Sequence, residues 1–125
     1  MTSLWDTIAD EAAAESALWG QALRPGVERE LERRGARLEE GLAPYGRVQR
    51  VGAMLTLFAT DAPVRDFDDA QRCDTERYAG LFRHLLANGV YVAPSQFEAM
   101  FVSLAHDEAD VDRLTVAARR VLAGD

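Results

Sequence analysis

The chain has 125 residues, 48% of them hydrophobic, which suits one domain, residues 1–125, with a core of its own. A formal net charge of -7 argues against nucleic acid as a partner, because phosphate binding requires clustered positive charge. All 14 basic residues are arginine, so no side chain carries a primary amine.

Ser3, with Asp6 three residues on, reads as a helix start of capping-box type. Leu4, Ile8, Ala12, Trp19 and Leu23 continue that helix to about Leu23. Pro25 and Gly26 interrupt it, and Pro25 suits the first turn of a second helix with apolar positions Val27, Leu31, Leu38 and Leu42. Gly41, Pro44 and Gly46 read as its close. On its polar side Arg29, Arg33, Arg34 and Arg37 interleave with Glu28, Glu30, Glu32, Glu39 and Glu40, the pattern of a solvated face with i,i+4 pairs.

Val48 to Thr60 is rich in β-branched and apolar residues around Gly52, which predicts one bent strand or two in succession, with Met54 to Ala59 buried. This longest apolar run, from Val51 to Ala59, is far short of the roughly 20 residues that span a bilayer, so no membrane partner is expected. Asp61, Pro63, Asp66, Asp68 and Asp69 predict a loop and the acidic first turn of a third helix. Its stripe is Ala70, Cys73, Arg77 or Tyr78, Leu81, Phe82, Leu85 and Leu86, and Asn88-Gly89 supplies a left-handed C-cap with Val90 packing back. Val90 to Ala93 reads as a short strand ended by Pro94, Ala99 to Ala105 as another, and Ser95 to Glu98 as the loop between them. Asp107 and Asp110 cap a last helix that turns Val111, Leu114, Ala118, Val121 and Leu122 inward. The order α-α-β-β-α-β-β-α predicts an α+β domain whose small, mostly antiparallel sheet of about three or four strands is covered on one side by helices.

Metal and nucleophile chemistry find little purchase. His84, His106 and Cys73 do not make a zinc cluster, and the aspartates do not follow a calcium loop, so no metal is expected. Phosphate-loop and nucleophile-elbow patterns are missing. With one cysteine there is no internal disulfide, and the N-terminus has neither the basic region nor the apolar core of a signal peptide; a cytoplasmic location is the expectation.

Four stretches in order, Val51–Phe58, Cys73–Arg77, Gly89–Ala99 (GVYVAPSQFEA) and Ser103–His106, resemble the C-terminal small domain of glutamate-1-semialdehyde aminomutase. That family is an isomerase of the class III aminotransferase group, built on the fold-type-I scaffold of pyridoxal phosphate enzymes. The resemblance runs from about Leu18 to Leu122, leaving residues 1–23 as a divergent helix ahead of a family-like part, 24–125. Met100 replaces a usual glycine, Ala53 a serine and Ala59 an aromatic. The resemblance implies that Glu98, with Ser95 and Gln96, lies at the substrate pocket; a loop carboxylate bonded to backbone amides is the other reading of Glu98. It also implies a cofactor held as an imine on a lysine, and this chain has none. No cofactor is therefore expected here unless a partner supplies that lysine. The expected partner is a second copy or a separately encoded large domain, with Trp5 and Trp19 either at that interface or in the core. The reading is thus a small-domain module acting by association; the alternative is a cofactor-independent enzyme whose pocket around Glu98, Ser95 and His106 acts on a small amino acid or aldehyde.

Overall fold

Gly52 turns the chain through a two-residue hairpin. It holds φ at +59°, and positive φ at the first central position alone is the type II′ pattern, whose twist matches the flanking strands. Strands β1 (Arg47–Val51) and β2 (Met54–Phe58) pair antiparallel across it, from Arg47 opposite Phe58 to Val51 opposite Met54. Strand β3 (Met100–Phe101) joins the other edge of β2, with Met54 opposite Phe101, giving the order β1-β2-β3.

The computed structural model describes residues 3, 4, 6–10 and 24–122. Trp5 and Trp19, where the sequence suggested an interface, lie outside the described residues, as does most of the first helix. Two compact units are present, Met1–Glu30 and Leu31–Asp125. In the first, Ser3 and Asp6 form the expected reciprocal cap: Asp6 N donates to Ser3 Oγ at 3.1 Å, and Ser3 N to Asp6 Oδ2 at 3.0 Å.

The remaining elements are helix α1 (Arg24–Leu42), a 3₁₀ turn (Ala43–Tyr45), α2 (Phe67–Gln71), α3 (Thr75–Ala87) and α4 (Glu108–Leu122). The class is the α+β read from the sequence, with a three-stranded antiparallel sheet and an order that matches the expected one roughly. The alternation of β2 sends Leu55 and Leu57 into the main core, where they meet Leu38 and Leu42 of α1, Leu81 and Leu85 of α3, and Val111, Ala117 and Ala118 of α4. Each fully buried leucine contributes about 1.5–3 kcal/mol. Phe58 faces the other way, into a smaller cluster with Val64, Ala70 and Cys73. Cys73 is buried there, and burial pushes its thiol up.

Local chemistry explains where the elements end. Gly89 has φ +78°, Gly89 N donates to Leu86 O at 3.1 Å and Val90 N to Leu85 O at 2.9 Å, the two bonds of a Schellman motif closing α3. The predicted third helix is in fact two. Asp66 caps α2 by accepting from Asp69 N at 2.8 Å, while Asp74 starts α3 afresh by accepting from Arg77 N at 3.0 Å. Asp74 N is meanwhile bonded to Ala59 O at 3.1 Å, which takes it out of any continuous helical ladder.

Three further expectations need correction. Residues 90–93 form no strand: Val90 N belongs to the helix cap, Ala93 O accepts from the Tyr78 hydroxyl at 2.7 Å, and β2 pairs on that side only with β3. The predicted strand from Ala99 to Ala105 shrinks to Met100–Phe101. Gly41 does not cap α1. It lies inside the helix, where an added Cβ would stand 2.3 Å from Thr115 Oγ1, so its role is to admit α4.

The charged face of α1 is not simply solvated. Arg33 pairs with Glu108, Arg37 forks onto both oxygens of Asp112 at 2.8 Å, and Arg50, 16% exposed at its side chain, bridges Glu32 and Glu39. Helical spacing identified the polar stripe, but the groups opposite it belong to α4 and β1, which spacing along one helix cannot report.

Candidate functional site

A cleft of about 630 Å³, within the usual range for small-molecule sites, lies between α4 and the segment from Gly89 to Val102. Val92, Met100, Val102 and Leu114 give it an apolar lining. Glu98, His106, Asp110 and Arg113 bring charge and hydrogen-bonding capacity to it.

Glu98 is positioned through its backbone. Its N–H donates to Ser95 O at 3.1 Å, and its carbonyl accepts from Thr56 Oγ1 at 3.3 Å. Among the described residues no donor is bonded to its carboxylate, so the loop-carboxylate reading, which required such bonds, lacks them here. Tyr78 braces the same wall from beneath through Ala93 O. Burial, helped by the charge of Glu98, pushes its phenol up to about 12, so it acts as a neutral donor.

Ser95 and Gln96 do not line the cleft. The Ser95 hydroxyl accepts from Phe97 N at 3.1 Å and shapes the loop. Gln96 is 2% exposed, its Oε1 accepts from Ala59 N at 3.4 Å, and its Nε2 is buried with no partner in the structure. Of the substrate-side trio expected from the sequence, Glu98 alone reaches the cleft.

His106 does line it. Nδ1 accepts from Ser103 N at 3.0 Å and lies 3.1 Å from the Ser103 hydroxyl, which assigns the proton of the neutral ring to Nε2. The turn carrying it is pinned by Arg34, whose guanidinium donates to the carbonyls of Ser103 (3.2 Å), Leu104 (2.7 Å) and His106. Asp110 is occupied in a reciprocal cap: Asp107 N donates to Asp110 Oδ2 at 3.1 Å, and Asp110 N to Asp107 Oδ1 at 2.8 Å. Sequence reasoning missed Tyr78, Arg34 and Arg113.

Exposed aromatics border this region. Phe101 (68% exposed) and Tyr91 (74%) line the cleft, and Phe97 (48%), next to Glu98, stacks obliquely on Phe67 (65%) with centroids 5.8 Å apart. Among the described residues no group of three or more His, Cys, Asp or Glu side chains is placed to hold a metal, and no helix is long and apolar enough to cross a membrane.

No family model matches the chain. Curated relatives do. A glutamate-1-semialdehyde 2,1-aminomutase from Thermomicrobium roseum is 50% identical over 109 residues, covering 82% of this chain and 25% of that protein. Those of Sorangium cellulosum (45% over 108 residues; 81% and 25%) and Desulfosudis oleivorans (43% over 118; 89% and 28%) are also similar. The chain thus spans about a quarter of the length of the curated relatives it matches. A solved β-phenylalanine aminotransferase from Variovorax paradoxus superposes with a TM-score of 0.63 at 26% identity, covering 79% of this chain and 23% of that one. Sequence and fold together relate this chain to the C-terminal small domain of the glutamate-1-semialdehyde aminomutases, an aminotransferase-like domain.

Proposed function

We propose that this chain works as the small lobe of an aminomutase-type active site and associates with a large domain that carries the cofactor lysine. The observation that carries the reading is Glu98: its carboxylate is unengaged among the described residues and lines a cleft, in a chain similar to one quarter of a longer enzyme. Pyridoxal phosphate would bring an electron sink to such a site, held as an imine. The side chains here do not fit that attachment, since none of the 125 residues is lysine and a guanidinium does not form the imine. This chain's part is therefore to close one wall, keep water from it with Met100, Phe101 and Tyr91, and present Glu98 to a substrate held by the partner. The exposed Phe67, Phe97, Phe101 and Tyr91 offer the aromatic area that interfaces favour.

The alternative, a cofactor-independent enzyme using Glu98, Ser95 and His106, has less support. The Ser95 hydroxyl is tied to its own loop, and His106 Nδ1 already accepts from Ser103 N.

The test mixes the purified chain with the Thermomicrobium roseum aminomutase shortened by its matching C-terminal quarter, loaded with pyridoxal phosphate. Sedimentation should show a complex and turnover should return, then fall at least tenfold with Glu98→Gln. Turnover by the folded chain alone, or a borohydride-reducible adduct on one of its side chains, overturns the proposal.

A further inference from the structure

We infer that Gln96 is a positioning residue for Glu98: its buried amide latches the loop of residues 95–98 to the backbone N–H just past the end of β2, and so fixes where the Glu98 carboxylate stands in the cleft. The inference rests on the role proposed above for Glu98 and adds the group that sets its place.

The loop shapes itself but does not place itself. Phe97 N donates to Ser95 Oγ and Glu98 N to Ser95 O, and both bonds travel with the loop if it moves. Among the described residues, two hydrogen bonds tie 95–98 to the rest of the domain. One, from Thr56 Oγ1 to Glu98 O at 3.3 Å, is exposed; the other, from Ala59 N to Gln96 Oε1 at 3.4 Å, is buried. Water competes for the first and is kept from the second, so the second holds the loop more firmly.

Ala59 gives that bond its leverage. It follows the last rung of the β1–β2 ladder, Arg47 opposite Phe58, and its carbonyl accepts from Asp74 N at 3.1 Å. Gln96 therefore joins the loop to the strand end and, through Ala59, to the start of α3, the helix whose Tyr78 holds Ala93 O. Chemistry sets the orientation of the amide. Ala59 N can only donate, so the oxygen faces it and Nε2 is left as a buried donor without a partner. An apolar side chain of the same length would also leave one orphaned donor, Ala59 N in place of Nε2, so Gln96 adds little net stability to the fold. What the amide adds is location. Gln96 is 2% exposed and points inward, Phe97 rests on Phe67 and Glu98 lines the cleft, so turning the loop about its anchor carries the carboxylate with it.

The full chain and its Gln96→Met and Gln96→Glu forms, labelled with ¹⁵N, are compared by amide hydrogen exchange and by urea titration. Gln96→Met should speed exchange at Ala59, Phe97 and Glu98 about fivefold, leaving Leu55, Leu57 and the urea midpoint near wild type. Gln96→Glu, which still offers an oxygen to Ala59 N, should restore slow exchange. In the mixture with the shortened aminomutase, turnover should fall about fivefold with Gln96→Met and recover with Gln96→Glu. The double variant Gln96→Met, Glu98→Gln should lose no more than Glu98→Gln alone, because Gln96 acts through Glu98. Unchanged loop exchange in Gln96→Met, a fall in its urea midpoint large enough to account for the faster exchange, no rescue by Gln96→Glu, or additive losses in the double variant each overturns the assignment. A wild-type chain that fails to complement while its loop responds as described sinks the partner proposal alone; complementation that Gln96→Met leaves undiminished sinks this one alone.

Discussion

The same substitution, glycine to alanine within a helix, should stabilise this protein at one position and destabilise it at another. Gly80, inside α3, has nothing within 4 Å of where a Cβ would stand. There the gain is the difference in helix propensity, about 0.5–1 kcal/mol. Gly35, inside α1, would place its Cβ 2.2 Å from Gly52 O and 3.3 Å from Arg50 Cδ. The propensity gain is the same, but the obstacle is a backbone carbonyl in the hairpin turn that also accepts from Arg50 Nη1 at 2.9 Å, so it cannot rotate aside. Pushing the turn off the helix costs about 1–3 kcal/mol or more, leaving a net loss of about 1–2 kcal/mol. Urea titration followed by circular dichroism should place the Gly80→Ala midpoint above wild type and the Gly35→Ala midpoint below it, with unchanged slopes. Thermal midpoints should separate by roughly 6–24 °C, at about 4–8 °C per kcal/mol for a small domain. A Gly35→Ala protein as stable as wild type would show that α1 does not approach the turn so closely.

Tyr78, raised from its ordinary value of 10.0 to about 12 by burial, stabilises the fold as a neutral group; that contribution is complete below pH 10 and is lost as pH rises from 10 to 12. A shift of that size corresponds to roughly 3 kcal/mol, so urea midpoints should drop steeply over that window, and Tyr78→Phe should flatten the drop while losing about 1 kcal/mol at neutrality; identical alkaline curves refute this. Arg37 holds the Asp112 carboxyl below its usual range, mainly through their hydrogen bonds, so that pair supports the fold above the ordinary carboxylate value and is lost as pH falls through the depressed one. Arg37→Gln should therefore shrink the stability lost between neutral pH and about pH 2, and raised salt should narrow its gap from wild type at pH 7. Cys73, buried with its thiol pushed up, should react with a disulfide reagent only at the rate of unfolding; fast labelling of folded protein contradicts its place in the small cluster.

Elements whose causes are local were readable in the sequence. The Ser3–Asp6 box, the acidic turn around Asp66 to Asp69, the Asn88-Gly89 stop and the Asp107–Asp110 cap all depend on residues within about four positions of one another. The hairpin was readable as far as Gly52, where the choice between one bent strand and two turned on a backbone angle. What escaped depends on distant groups. Gly41 looked like a terminator because nothing near it in the chain reveals Thr115; its Cβ is missing to make room for another helix. Residues 90–93 have strand composition but meet a tyrosine hydroxyl and a helix cap where a neighbouring strand would have to be. At the candidate site, Glu98 came from resemblance, whereas Arg113 is visible only once Glu108 and Asp112 are seen to be engaged elsewhere.

Only Met100 and Phe101 of the wall facing α4 are laced to the sheet by a ladder. From Tyr91 to Ala99 the chain is held by Val92 in the main core and by side-chain tethers: Tyr78 to Ala93, Gln96 to Ala59 N, and Thr56 to the Glu98 carbonyl. A flap tethered in this way opens sub-globally, ahead of the strands behind it. Its amides should trade deuterium together and faster than those of Leu55 and Leu57, so the wall that presents Glu98 is able to swing while the hairpin stays whole.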